Sequence, residues 1–135
     1  MLLDDLADRL TSQAVATTGT DLFKSVMPST PDELIALYQT GGGPPVEVMA
    51  RGPGTAAVER PHVQVLARAA RPDTAHKRAQ DVWFALDALG GLTINGVRYL
   101  SVFALQSPFF LNTDDVGRYV VACNFEISRV PATSS

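Results

Sequence analysis

The chain predicts an α+β fold, a mixed, mainly antiparallel sheet with two helices packed on one face, in a single domain spanning 1–135. Three observations lead there. Two stretches carry apolar residues at helical spacing, one near the start and one in the middle. Several others alternate in steps of two, as half-buried strands do. The last strands follow one another across short turns, so strands pair with strands while the helices stay apart from them.

Leu3, Leu6, Leu10 and Ala14 recur on one helical face, with Asp5, Asp8, Arg9 and Gln13 between them. Asp4 and Asp5 fall in the first turn, where the helix dipole favours negative charge. Thr17, Thr18 and Gly19 end a helix of about four turns. Asp21–Met27 reads as a short strand stopped by Pro28. The next stretch, STPDELIALYQTGGG, stays open. Thr30, Pro31, Asp32 and Glu33 resemble a helix start, yet Leu34–Tyr38 is equally a short buried strand ended by glycines.

Gly41–Gly54, within a long Gly/Pro loop at 41–57, is GGGPPVEVMARGPG. Its glycines and prolines exclude a helix, and its prolines exclude a central strand. A phosphate loop is excluded too, because no Gly-Lys-Ser/Thr follows the glycines. A loop of this length in a small domain points to contact with a partner.

Pro61–Ala70 alternates cleanly, Val63, Val65, Ala67 and Ala69 facing one way and His62, Gln64, Leu66 and Arg68 the other. Pro72 and Asp73 then open a helix whose buried stripe is Ala75, Ala79, Val82, Leu86 and Leu89, widened by Trp83 and ended by Gly90–Gly91. Asn95–Gly96 is a type I′ hairpin signal. It sends the chain into Val97–Leu105, apolar on both alternating faces and so expected to be covered on both. A second turn at Asn112–Gly117 leads into a partner strand. There Tyr119, Val121, Cys123, Phe125 and Ile127 form the buried face, and residues 131–135 fray.

Bulk composition bounds function more than it names it. Of 135 residues, 46% are hydrophobic and 19% charged, as in an ordinary folded protein. The net charge of −3 gives no electrostatic pull toward nucleic acid. The acidic start, MLLDDLADRL, does not fit a signal peptide, no apolar run reaches the roughly 18 residues of a membrane span, and the one cysteine fits a reducing compartment. A soluble cytoplasmic protein is the expectation.

No constellation meets the requirements of catalysis. His62 and His76 have no ligand-type neighbours at metal-binding spacing, so neither a metal nor a cofactor is expected. Cys123 is more simply a small core residue than a nucleophile. Asp114 and Asp115 suit turn chemistry. The one basic concentration, Arg60, Arg68, Arg71, Lys77 and Arg78, has no interleaved aromatic platform and reads as a solvated face. Tyr99 beside Arg98 is the weak candidate for binding single-stranded nucleic acid on an open sheet. Phe109 and Phe110, after Pro108, need cover, one of them from the core.

Taken together, IALYQTGG at 35–42 with Pro44–Pro45, RPHVQVLARA at 60–69, AQDVWFALDAL at 79–89, TINGVRYLSVFALQSPFFL at 93–111 and DDVGRYVVACNFEISR at 114–129 resemble the phage tail terminator family, whose members are also labelled minor capsid proteins. The likeness lies in the order and spacing of elements over roughly 20–130. It implies a mixed sheet with helices on one side and makes 35–42 a strand. It implies no enzyme, but a structural virion protein at the head-proximal end of the tail, assembled in the host cytoplasm. Such proteins form a homo-oligomeric ring, typically a hexamer, that stops polymerisation of the tail tube protein and joins a head connector or stopper protein. Genomic DNA only passes through the lumen, which should not be strongly basic, and no membrane is involved. Another connector component, such as a stopper, is the alternative within this class.

A ring needs two different patches on each subunit. The candidates for contact with self or tube are Gly41, Pro45, Met49 and Arg51 in the Gly/Pro loop, and Arg98, Leu100 and Val102 on the strand after the hairpin. Phe109 and Phe110 at its exit and Asp114 and Asp115 in the following turn complete the set.

Overall fold

In the computed structural model, residues 2–46, 58–87 and 90–130 are described. The chain begins with helix α1 (Leu2–Ser12), followed by β1 (Leu22–Lys24), β2 (Leu34–Val46) and β3 (Val58–Ala69). Helix α2 (Pro72–Leu86) comes next, then β4 (Leu92–Ile94), β5 (Val97–Ala104), β6 (Phe109–Thr113) and β7 (Tyr119–Val130). The seven strands form one sheet in the order β1-β2-β3-β7-β5-β4, with β6 also paired to β7. Only β1–β2 is parallel; the other pairings are antiparallel. Both helices bury their stripes against the same sheet face, in one cluster that includes Leu6, Leu10, Ile35, Leu37, Val63, Val65, Val82, Leu86, Phe125 and Ile127. The α+β architecture expected from the sequence is therefore the one observed.

Residues 34–40 form a strand, not a helix. Leu34, Ile35, Ala36 and Leu37 are all fully buried, because Ile35 and Leu37 face the helices while the others face away. A run apolar at every position is what a strand covered on both sides requires. The capping signals before it are spent differently: the Arg68 guanidinium takes the carbonyls of Pro31 (2.7 Å) and Asp32 (3.3 Å).

Strand β2 then continues through Gly41–Pro45, contrary to the expected loop. Proline is tolerated because β1 pairs only with Ile35–Leu37, so beyond Leu37 this strand is an edge among the described residues. Two irregularities, at Gln39/Gly42 and Gly43/Val46, carry the chain through the segment. Gly42 is needed there. A Cβ on it would lie 2.8 Å from the Arg60 carbonyl oxygen and 3.0 Å from Pro61 Cα, both backbone atoms. Gly42→Ala should therefore push β2 off β3 and cost about 1–3 kcal/mol in a denaturant titration. Gly41→Ala, with open space around its Cβ, should stay within about 0.5 kcal/mol of the parent.

Three boundaries differ from expectation. Helix α1 ends after about three turns because Ala14 takes the left-handed conformation (φ 57°), and Val15 N–H closes back on the Leu10 carbonyl. Ser25, also left-handed (φ 62°), cuts β1 to three residues. Helix α2 stops at Leu86, short of Gly90–Gly91. Asp87 turns extended there, and its carboxylate accepts the Ala104 amide at 2.8 Å. Leu89 and residues 131–135 lie outside the described residues, as does 47–57, the rest of the Gly/Pro segment.

The hairpin at Asn95–Gly96 forms as predicted, with φ of 51° and 79°. The final meander is also present, β4-β5-β7, but β7 zips onto β3 along its other edge. The chain after β5 does not go straight to a turn. It runs on as β6, collinear with β5 along the same edge of β7.

Candidate functional site

Strand β5 was expected to be covered on both faces; among the described residues it is covered on one. A register shift between Tyr99 and Ser101 puts Tyr99 and Val102 on the same, helix-covered side, where they are 2% and 1% exposed. Leu100 sits at the shift, and Phe103 projects from the opposite face at 57% exposure. Strict alternation had paired Val102 with Leu100 and Arg98 as an outward surface. The bulge breaks that alternation, so Val102 is a core residue and cannot meet a partner.

The same correction removes the nucleic-acid platform. Tyr99 does not lie on the open face beside Arg98. Its hydroxyl donates to Asp5 Oδ2 on α1, while Asn95 Nδ2 donates to Asp5 Oδ1 at 2.8 Å and Asp8 Oδ2 at 2.9 Å. Burial and the Asp5 carboxylate push the Tyr99 phenol well above its ordinary value. This network, with Asp5 only 1% exposed, clamps the hairpin turn onto the first helix.

Strand β7 was expected to bury one face only, but Val120 and Ala122 on its other face are also buried. The chain between β1 and β2 crosses that end of the sheet and is held there from two sides. Arg68 binds it through the carbonyls given above. Arg118 donates to the Ser29 carbonyl and reaches Asp32 Oδ1 at 3.2 Å. An open groove of about 560 Å³ remains beside it, lined by Met27, Leu66, Leu111, Val116, Arg118 and Val120 among others.

The basic cluster does not act as a cluster. Arg60 pairs with Glu126 (2.8 Å), Arg71 with Asp73 (3.4 Å) and Lys77 with Asp81 (2.8 Å). Arg78 pairs with Asp21 at 2.9 Å and Glu33 at 3.5 Å. Arg68 is buried on carbonyls. Cys123 is fully buried, its thiol directed to the Gln106 carbonyl at 3.2 Å. Burial and the nearby Asp87 charge push the thiol up to about 11, which suits a core residue and not a nucleophile.

The remaining candidates divide clearly. Gly41 is exposed on the outer part of β2, and Arg98 is exposed on β5. Pro45 lies on the β2 backbone, whereas Met49 and Arg51 fall outside the described residues. Phe109 is half-buried, and Phe110 is 56% exposed with its ring tilted against Tyr119 at 6.2 Å. Neither phenylalanine is a full core residue. Asp114 builds its turn: its carboxylate accepts the Val116 and Arg118 amides (3.1 and 2.8 Å) and the Arg118 guanidinium (2.7 Å). Asp115 is exposed on that turn.

What the sequence reading passed over is how the exposed apolar side chains are distributed. Among the described residues, Val26 and Phe84 stand elsewhere, but Leu100, Phe103, Leu105, Phe110, Leu111 and Val116 all come from one continuous stretch, 100–116. They do not share one face of the sheet: Phe103 stands opposite Glu126 on the side away from the helices, while Phe110 stands opposite Val121, a residue of the helix-covered cluster. Counting unpaired apolar residues after the turn at 95–96 could have found the stretch.

The sequence profile of the bacteriophage tail terminator protein family matches residues 9–131. The chain belongs to this family. A tail terminator is a structural protein of the phage particle. A chain in the virion of a native gene transfer agent particle has the same fold, with a TM-score of 0.63 and 20% identity, covering 96% of this chain and 95% of that one. A second solved structure aligns at a TM-score of 0.50 and 15% identity, covering 99% and 93%. No curated protein matches. Among the described residues, no helix of this tail terminator is long and apolar enough to cross a membrane, and no group of histidine, cysteine and carboxylate side chains is placed to hold a metal ion.

Proposed function

We propose that this chain forms a ring, hexameric as in its family, on the head-proximal end of a phage tail tube. The ring stops further addition of tube subunits and presents the surface to which the head connector or stopper protein docks. Its action is mechanical and not enzymatic. The family match over 9–131 carries this reading, and the stretch at 100–116 supports it by supplying exposed apolar side chains to be covered.

The contact residues in this reading are Gly41, Pro45, Met49 and Arg51 on one side, and Arg98, Leu100, Phe109, Phe110 and the turn bearing Asp114 and Asp115 on another. Val102 is withdrawn from the set, and Phe103 replaces it. A lumen that lets DNA slide through is consistent with Arg68 and Arg78 being engaged within the chain and Arg71 being matched by Asp73. The test is growth of cognate tail tubes in vitro. Adding the protein should freeze the length distribution at the moment of addition. Continued elongation at saturating protein would overturn the proposal.

A further inference from the structure

We infer that neighbouring copies in the ring join by strand pairing, the outer edge of β6 lying antiparallel to the outer edge of β2 in the next copy. This rests on the ring reading above and names the contact that closes it.

The sheet has two flanks, and each offers a different free edge. On one, β1 covers β2 only at Ile35–Leu37. The following residues of β2, from Tyr38 on, have β3 on one side and no strand on the other among the described residues. On the opposite flank, the outer side of β5 is already occupied. β4 pairs with Val97–Tyr99, and the Ala104 amide is taken by Asp87. Gly90 also runs so close to Leu100 that a Cβ would fall 2.9 Å from its carbonyl oxygen. β6 has no such cover. It pairs with β7 on one side, and none of the described residues pairs with the other.

Monomeric proteins guard an edge with lysine, proline or an inward charge, because unpaired N–H and C=O groups recruit other strands. The sequence of β6, FFLNT, holds none of these. It leaves Phe110 and Leu111 at 56% and 42% exposure. On β2, Gly41 and Gly42 remove the side chains that would hinder approach, and nothing lies within 4 Å of a Cβ placed on Gly41. Pro44 and Pro45 lack N–H groups and so end the usable edge. That leaves Tyr38–Gly43, a length comparable with the five residues of β6.

Strand sense agrees. β2 and β7 both run antiparallel to β3, and β6 runs antiparallel to β7. Copies set side by side by rotation therefore bring β6 against an oppositely directed β2, which continues the alternation of the sheet. Because the two edges differ, the contact is heterologous, the kind that closes a ring when the rotation between copies closes, and not a two-fold dimer contact. Main-chain pairing supplies the join, and Phe110 and Leu111 supply its apolar part.

The test uses two full-length variants, Thr40→Cys and Leu111→Cys, alone and mixed, assembled on cognate tail tubes and treated with a short bismaleimide. Both positions are exposed, and the native Cys123 is fully buried. A band at twice the chain mass should appear with the mixture and with neither variant alone, and the doubly substituted chain should give a ladder. Linking of Leu111→Cys to itself, or no band from rings visible by electron microscopy, would overturn the edge pairing while leaving the ring in place. Absence of rings with the parent protein would overturn both.

Discussion

Val102→Asp is expected to leave the chain largely unfolded at room temperature, while Phe103→Asp, one residue on, folds normally. Val102 is 1% exposed within the cluster formed with Tyr99, Phe125 and Ile127. A carboxylate there is a charge buried among apolar side chains and costs about 3–5 kcal/mol or more, a large part of the roughly 5–15 kcal/mol that holds a domain together. Phe103→Asp, at a position 57% exposed, should cost only about 1–2 kcal/mol, from lost strand propensity and the Glu126 carboxylate opposite it, but weaken assembly on tail tubes. Circular dichroism separates the two at once. Equal stability of the variants would show that the bulge at Leu100 does not set the faces of β5.

The second large effect lies in the clamp between α1 and the hairpin. Asp5→Ala removes the acceptor of the buried Tyr99 O–H, whose oxygen keeps its Arg129 contact, and takes one of two acceptors from Asn95, for a loss of about 1–3 kcal/mol. The same site gives a pH dependence of definite sign. The Tyr99 pKa is raised in the folded state, so folding favours the neutral phenol. Its contribution is fully present below the ordinary tyrosine value of about 10 and is lost as pH rises from there toward the folded value. Denaturant midpoints of the parent should therefore fall more steeply above about pH 10 than those of Tyr99→Phe. Parallel curves would remove Tyr99 from the account.

The fold was legible wherever periodicity was unbroken. Val63–Ala69, the stripe from Ala75 to Leu86 and the Asn95–Gly96 turn follow from spacing and from the backbone preferences of glycine and asparagine. Misreadings came where one residue departs from its usual conformation. Ala14 and Ser25 adopt left-handed backbone with no glycine to announce it, and Asp87 ends α2 for a tertiary bond that local sequence cannot show. The bulge at Leu100 had the largest consequence, because a shift of one position exchanges the faces of a strand. It sent Val102 and Tyr99 inward and Phe103 outward. The Gly/Pro segment misled for a different reason. Proline excludes a central strand but not an edge, and whether β2 is an edge depends on how far β1 extends.

The candidate surface was less legible than the fold. Phe109, Phe110 and the 112–117 turn fall within the stretch that leaves apolar side chains exposed, but that β6 is a strand at all depends on its pairing with Ala122 and Val121. The family likeness had its counterpart in the whole pattern of elements, since no single motif in the chain carries chemistry.

The ring itself is tested most directly by electron microscopy of purified protein mixed with cognate tail tubes. The account predicts a closed ring of density on one end of each tube, and only one, with Phe110→Glu reducing its occupancy at least tenfold while the chain stays folded. Bare ends at saturating protein, or density spread along the tube wall, would contradict it.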